Sequence, residues 1–277
     1  ATVFIGATAE DIPALYAANE SSPAAQPSAT GANAVAIGSG ATASAENSFA
    51  FGIGTASGIK SITIGEGTNS GAQSLYMGWA ASTVSGSQAI GIGRAITATG
   101  TGSLAVGGST SATSSYASAI GRNSSNGGSQ AVTGAGAMAL GGSYASGTDS
   151  FAAAITTNSA SYGARQNNAV VLGQAARSTG AGGLALGNNA NVSGSHGLAI
   201  GRGSAASGAY STALGYFNTA SGTNSVAFGA NSTASHEDSI VLGDTASSSA
   251  INQITLGSTS DTVRISSAYT LPTADGT

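Results

Sequence analysis

The sequence predicts an all-β solenoid of short coils, on two observations: a recurring four-residue word and the distance between its copies. The word reads apolar, small, apolar, glycine. Its glycines are Gly38, Gly52, Gly65, Gly78, Gly93, Gly107, Gly121, Gly141, Gly173, Gly187, Gly201, Gly215, Gly229, Gly243 and Gly257, with Ala154 standing where one more is due. From Gly173 to Gly257 every step is fourteen residues. A fixed short period is the mark of one structural unit stacked on itself, and helical repeats need units of about thirty residues or more. Apolar residues nowhere persist at helical spacing over three turns.

Each coil follows from its own residues. In the stretch Asn224 to Ser235, Val226 and Phe228 alternate with Ala227, so they point to one face of a short strand and Ala227 to the other. Gly229 turns the chain, a second short strand follows around Thr233 and Ala234, and a polar cluster turns it back. Equivalent strands of successive coils then lie side by side as parallel sheets, about 4.8 Å per coil. The outer apolar positions of the word, among them Val35 and Ile37, Phe49 and Phe51, Leu184 and Leu186, Leu198 and Ile200, are expected to fill the interior.

The middle position of the word is expected to face away from that interior, yet it is almost never charged. It is alanine at Ala36, Ala50, Ala105, Ala119, Ala139, Ala152, Ala185, Ala199, Ala213 and Ala227. An exposed strand face ordinarily alternates to charged and polar residues. The alanine row therefore predicts a second buried surface where another backbone comes close, and hence packing between copies of the chain.

Words such as Asn33-Ala34-Val35-Ala36-Ile37-Gly38, His196-Gly197-Leu198-Ala199-Ile200-Gly201 and Asn224-Ser225-Val226-Ala227-Phe228-Gly229, each followed by an Ala/Thr/Ser strand, resemble the YadA-type head repeat of trimeric autotransporter adhesins. The resemblance covers roughly residues 33 to 259. It implies a left-handed parallel β-roll, three chains packed about a three-fold axis as a homotrimeric fibre, and a head that binds matrix or host-cell surfaces. The alanine row is a separate reason to expect close packing between copies.

Three segments are expected: residues 1–32 as a leader or cap with a short helix around Ile12, Leu15 and Tyr16, residues 33–259 as the repeat array, and residues 260–277 as an exit strand and linker. The ending Tyr269 to Thr277 resembles a segment of phage tail fibres that introduces the next fibre module, which tips the expected carrier toward a virion. With no signal peptide or initiator methionine, the chain reads as an excerpt of something longer.

Composition bounds the function. Lys and Arg number seven against eleven Asp and Glu, and the basic residues are scattered, whereas nucleic-acid binding needs them clustered. No apolar run is long enough to span a bilayer as a helix, so no direct membrane insertion is expected. The absence of cysteine fits a secreted or particle-borne fibre that does not rely on disulfides.

The residue after the repeat glycine is the most variable, and it lines one corner of the coil. Trp79, Arg94, Arg122, Arg202 and Tyr216 there form either a recognition stripe or a solvated or intersubunit edge. The spacing breaks between Gly121 and Gly141 and between Ala154 and Gly173 are expected to loop outward, with Tyr144 and Tyr162 near them as recognition candidates or as products of neutral insertion. His196 and His236 lie forty residues apart at different phases of the coil, so one chain cannot bring them to a shared metal. Glu237 and Asp238 are adjacent and diverge on an extended chain, which speaks against a paired-carboxylate hydrolase. No catalytic residue, metal or cofactor is predicted.

The expected function is a non-enzymatic trimeric fibre segment for attachment, with a homotrimer and a host-cell surface protein or glycan receptor as partners. It is placed outside the cell, as part of a phage tail or receptor-binding fibre. The alternatives are the head of a bacterial trimeric adhesin on the cell surface and a structural spacer that carries a separate tip.

Overall fold

The computed structural model describes residues 26–80, 82–122, 130–154 and 161–264, and the described residues hold β-strands without a helix. The predicted leader helix and the ending from Tyr269 lie outside them. Two compact units divide at residue 182, one ending at Gly182 and the other starting at Gly183.

Each coil contributes a longer strand at the word and a two- or three-residue strand half a coil later. In the unit from Gly183, the longer strands Leu184–Leu186, Leu198–Ile200, Thr212–Tyr216, Val226–Ala230, Ile240–Leu242 and Ile254–Leu256 pair in parallel, each with the next. The register advances one coil per strand, as in Ala199 opposite Ala213 and Ala213 opposite Ala227. The short strands Asn191–Val192, Ala205–Ala206, Thr219–Ala220 and Thr233–Ala234 pair in parallel in a second sheet.

The unit ending at Gly182 repeats the pattern, and both spacing breaks leave its longer-strand ladder in step. Ser118 pairs with Met138 across the first break, and Phe151 with Val170 across the second. The outward loops expected at the two breaks fall on residues 123–129 and 155–160, outside the described residues.

Local chemistry fixes the two turns. At the first, the chain passes through the left-handed region at Tyr210, Asn224 and Asp238, with φ of 56°, 55° and 53°. The amide of Asn224 donates to the Ala209 carbonyl at 2.9 Å, so this turn is also tied to the preceding coil. The serine that follows, Ser211 or Ser239, points inward, and its hydroxyl donates to the carbonyl three residues back at 2.7 Å. At the second turn, Gly201, Gly215 and Gly229 hold φ of 115°, 133° and 135°, a conformation essentially reserved for glycine.

The interior reverses the expected facing. All ten alanines of the middle row are buried within the single chain, and they form the core with the second-strand alanines and the inward serines. The large apolar residues flanking them point outward instead. Val35, Phe51, Leu186, Phe228 and Leu242 are exposed, and Ile37, Phe49, Leu184, Leu198 and Ile200 are half-buried.

The physical reason is width. Two strands and two turns in fourteen residues bring the sheets too close for opposed leucines or phenylalanines, and interiors tolerate no overfilling. The alanine row is thus the core of each coil, and the assignment of those residues to packing between chains is corrected: they have no outer surface to offer.

One coil shows the same limit by exception. Tyr76 takes the middle position and is fully buried, and its hydroxyl donates to the Glu66 carbonyl. The residue opposite it on the next coil is Gly91, where a Cβ would come within 2.5 Å of Val84 Cγ2 and 2.6 Å of Ile96 Cδ1. Gly67 likewise leaves room, because a Cβ there would lie 2.7 Å from Tyr76 Cε1. Gly67 thus clears the space that the Tyr76 ring fills, and Gly91 the space taken by Val84 and Ile96.

Candidate recognition surface

The corner after the repeat glycine gathers most of the predicted recognition residues, because every coil delivers its next residue to the same place. Trp79 ends the strand Leu75–Trp79 and sits opposite Arg94, the last residue of Ile90–Arg94. Arg94 Cζ lies 5.5 Å from the Trp79 ring centroid, and the indole is 64 % exposed. Gly108 follows Arg94 in register and Arg122 follows Gly108, so Arg122 belongs to the same backbone ladder. One coil before Trp79 stands Glu66, whose Oε2 accepts from the Ala80 amide at 3.3 Å.

The unit from Gly183 builds a denser group at this corner. Arg202 is exposed, with its Cζ 5.8 Å from the Tyr216 ring centroid and 5.6 Å from that of Phe217. The two rings meet edge to face, with centroids 4.6 Å apart and planes at 89°. A guanidinium over an aromatic face is attracted by the ring quadrupole, so the three side chains hold one another in place. Sequence reasoning placed Arg202 and Tyr216 here and missed Phe217. Its signal is the phase: it lies two residues after a repeat glycine, where other coils hold Asn189, Gly203 and Asn231.

Tyr144 and Tyr162 do not join either group. Tyr162 is exposed and Tyr144 half-buried, and what links their neighbourhoods is backbone, the Ala164 amide donating to the Tyr144 carbonyl at 3.0 Å. At the opposite corner a second feature escaped sequence reasoning, His196 stacked on Tyr210 with centroids 5.1 Å apart and planes within 5°. Each lies five residues before a repeat glycine, so coil phase alone would have found the pair.

Among the described residues no three His, Cys, Asp or Glu side chains gather as metal ligands. His236 Nδ1 instead lies 3.2 Å from Ser235 Oγ and 3.1 Å from Ser248 Oγ. Glu237 and Asp238 are both exposed, and Asp238 accepts from Asn224 Nδ2 at 2.9 Å.

In each unit the strand face outside the alanine row is apolar. In the unit from Gly183 it carries Leu186, Phe228, Leu242, Ile254 and Leu256, all exposed, with Phe228 at 50 %. In the other unit it carries Val35, Phe51, Ile62, Met77, Ile90, Ile120 and Met138, also exposed. Single exposed apolar residues are ordinary, whereas a face that repeats them coil after coil marks an interaction surface.

The family model described as the YadA head domain repeat matches residues 29–55, 98–124, 164–190, 193–218 and 220–246. No curated protein matches the chain. The tail-fibre resemblance rests on residues 269–277, outside the described residues.

Proposed function

We propose that this chain, five stretches of which match the YadA head domain repeat, is the head of a trimeric cell-surface adhesin, a non-enzymatic module that holds its carrier to molecules of a host surface. The repeat match carries this reading, and it favours the bacterial adhesin over the virion fibre. The exposed apolar strand face supports the trimer: with the alanines spent inside each coil, the flanking row, including Val226, Phe228, Ile240 and Leu242, is what three copies bury against one another. Burying a large aliphatic or aromatic side chain contributes about 1.5–3 kcal/mol relative to full exposure, so half-exposed residues repeated on every coil supply ample driving force.

Recognition falls to the corner groups, Trp79 with Arg94 and Arg202 with Tyr216. Aromatic and arginine side chains are the residues that most often carry binding energy at interfaces. The test is attachment of the purified chain to host cells or matrix, with the Trp79→Ala, Arg94→Ala and Tyr216→Ala triple variant beside it. The reading expects attachment by the parent chain and a large loss in the variant. Undiminished attachment by the variant removes the corner from the binding role, and no attachment by the parent chain removes the adhesin reading.

A further inference from the structure

The corner of Arg202, Tyr216 and Phe217 carries more than its neighbours need. Phe217 holds φ of 52°, in the left-handed region, where a bulky aromatic is uncommon and strained. The coil before it has Gly203 at this place and the coil after it Asn231, residues suited to that conformation. The strained ring also has a seat, because a Cβ on Gly203 would come within 2.5 Å of Phe217 Cδ1 and Cε1. Both rings stay open to solvent, Tyr216 at 46 % and Phe217 at 45 %. Among the described residues the Arg202 guanidinium meets the two rings and no carboxylate.

Resting on the adhesin reading, we propose that Arg202, Tyr216 and Phe217 form a binding site for a saccharide bearing a carboxylate. A pyranose ring needs an exposed apolar platform with polar groups at its edge, which two crossed rings on a coil corner provide; a peptide anchor needs an enclosed pocket. The C–H face of the sugar lies on an aromatic ring, and its carboxylate takes charge-assisted hydrogen bonds from the guanidinium. Asn189 in the coil before Arg202 and Asn231 in the coil after Tyr216 stand beside this platform as partners for the hydroxyls, about 4.8 Å per coil away along the ladder. Asp244 is the acidic residue of this corner, two coils beyond Tyr216, so the positive charge at the platform is not cancelled in place. The Trp79 and Arg94 pair lacks this preference, because Glu66 stands in its stack.

Calorimetric titration of the whole chain with a hyaluronan tetrasaccharide, which alternates glucuronate with N-acetylglucosamine, and with its carboxyl-reduced counterpart tests the proposal. Arg202→Gln removes the charge, and Phe217→Asn removes the ring while installing a residue that neighbouring coils hold at the same backbone conformation. The expected result is binding of the acidic sugar, weakened about tenfold or more by either variant and by carboxyl reduction. Absence of binding, equal binding of the two sugars, or binding unchanged in Arg202→Gln overturns it. A change of oligomeric mass in Phe217→Asn also overturns it, since the corner then belongs to a subunit contact. Attachment of Arg202→Gln to host cells separates the two readings: attachment kept while no sugar binds discards the saccharide site and leaves the adhesin standing, whereas failure of the parent chain to attach discards the adhesin.

Discussion

Replacing Gly215 by alanine tests the close stacking of coil on coil. The position holds φ of 133°, and a Cβ there would lie 1.8 Å from the Gly229 carbonyl oxygen and 2.7 Å from Asn218 Nδ2. The backbone cost alone is about 1–3 kcal/mol. The clash adds to it, because coil 215 and coil 229 must part where Asn218 Nδ2 donates to the Gly229 carbonyl at 2.8 Å and to the Leu214 carbonyl at 2.6 Å. Asn218 is fully buried, and leaving its amide unsatisfied costs about a further 1–3 kcal/mol. The sum is a loss of about 2–6 kcal/mol. Urea denaturation followed by circular dichroism reads it, with Gly102→Asn as the control. Gly102 holds φ of 65°, its Cβ would touch only the Tyr116 ring edge at 2.9 Å, and the same phase holds Asn224 and Asn252 in other coils. The control should stay within about 0.5 kcal/mol of the parent. A Gly215→Ala loss no larger than the control's would refute the close approach of coil on coil.

The reversed facing makes paired predictions. Ala213→Leu inserts a large side chain into the interior and should cost about 1–3 kcal/mol in the same urea assay, whereas Thr212→Leu, on the outer face, should cost less than about 0.5 kcal/mol. Equal effects would return the alanines to the surface. Burial pushes the Tyr76 phenol above its usual value of 10.0; the hydrogen bond with Ser82 opposes this and the nearby Glu66 charge adds to it. A raised value in the folded chain means the unfolded chain ionises first, so stability is complete below about pH 10 and falls as pH rises through the folded value. Absorbance at 295 nm should therefore show one of the eight tyrosines ionising only as the chain unfolds, and Tyr76→Phe should remove that step.

The coil was legible because glycine is required where φ lies beyond +100°. That requirement fixes a four-residue word, and the distance between words gives the register Ala199 to Ala213 to Ala227 before any coordinates. Which face is the inside was not legible from alternation. Val226 and Phe228 against Ala227 define two faces, and the rule that large apolar residues go inward assumes an interior wide enough to hold them. The turn serines held the missing signal: Ser211 and Ser225 share a face with Ala213 and Ala227, and small buried serines suit a narrow core, where the Ser211 hydroxyl reaches the Gly208 carbonyl. The corner residues were legible by phase, but their contacts were not. The Arg202 pairing with Phe217 depends on the left-handed turn that throws the ring back over Gly203.

The central claim is that each coil keeps its small residues inside and offers its large apolar row to other copies of the chain. Light scattering on the size-fractionated chain tests it most directly, beside a variant carrying Phe228→Ser and Leu242→Ser on the outer face. The account predicts three times the 26.1 kDa chain mass for the parent and dissociation toward the single chain in the variant. A parent chain that stays monomeric, with its apolar row in water, would contradict it.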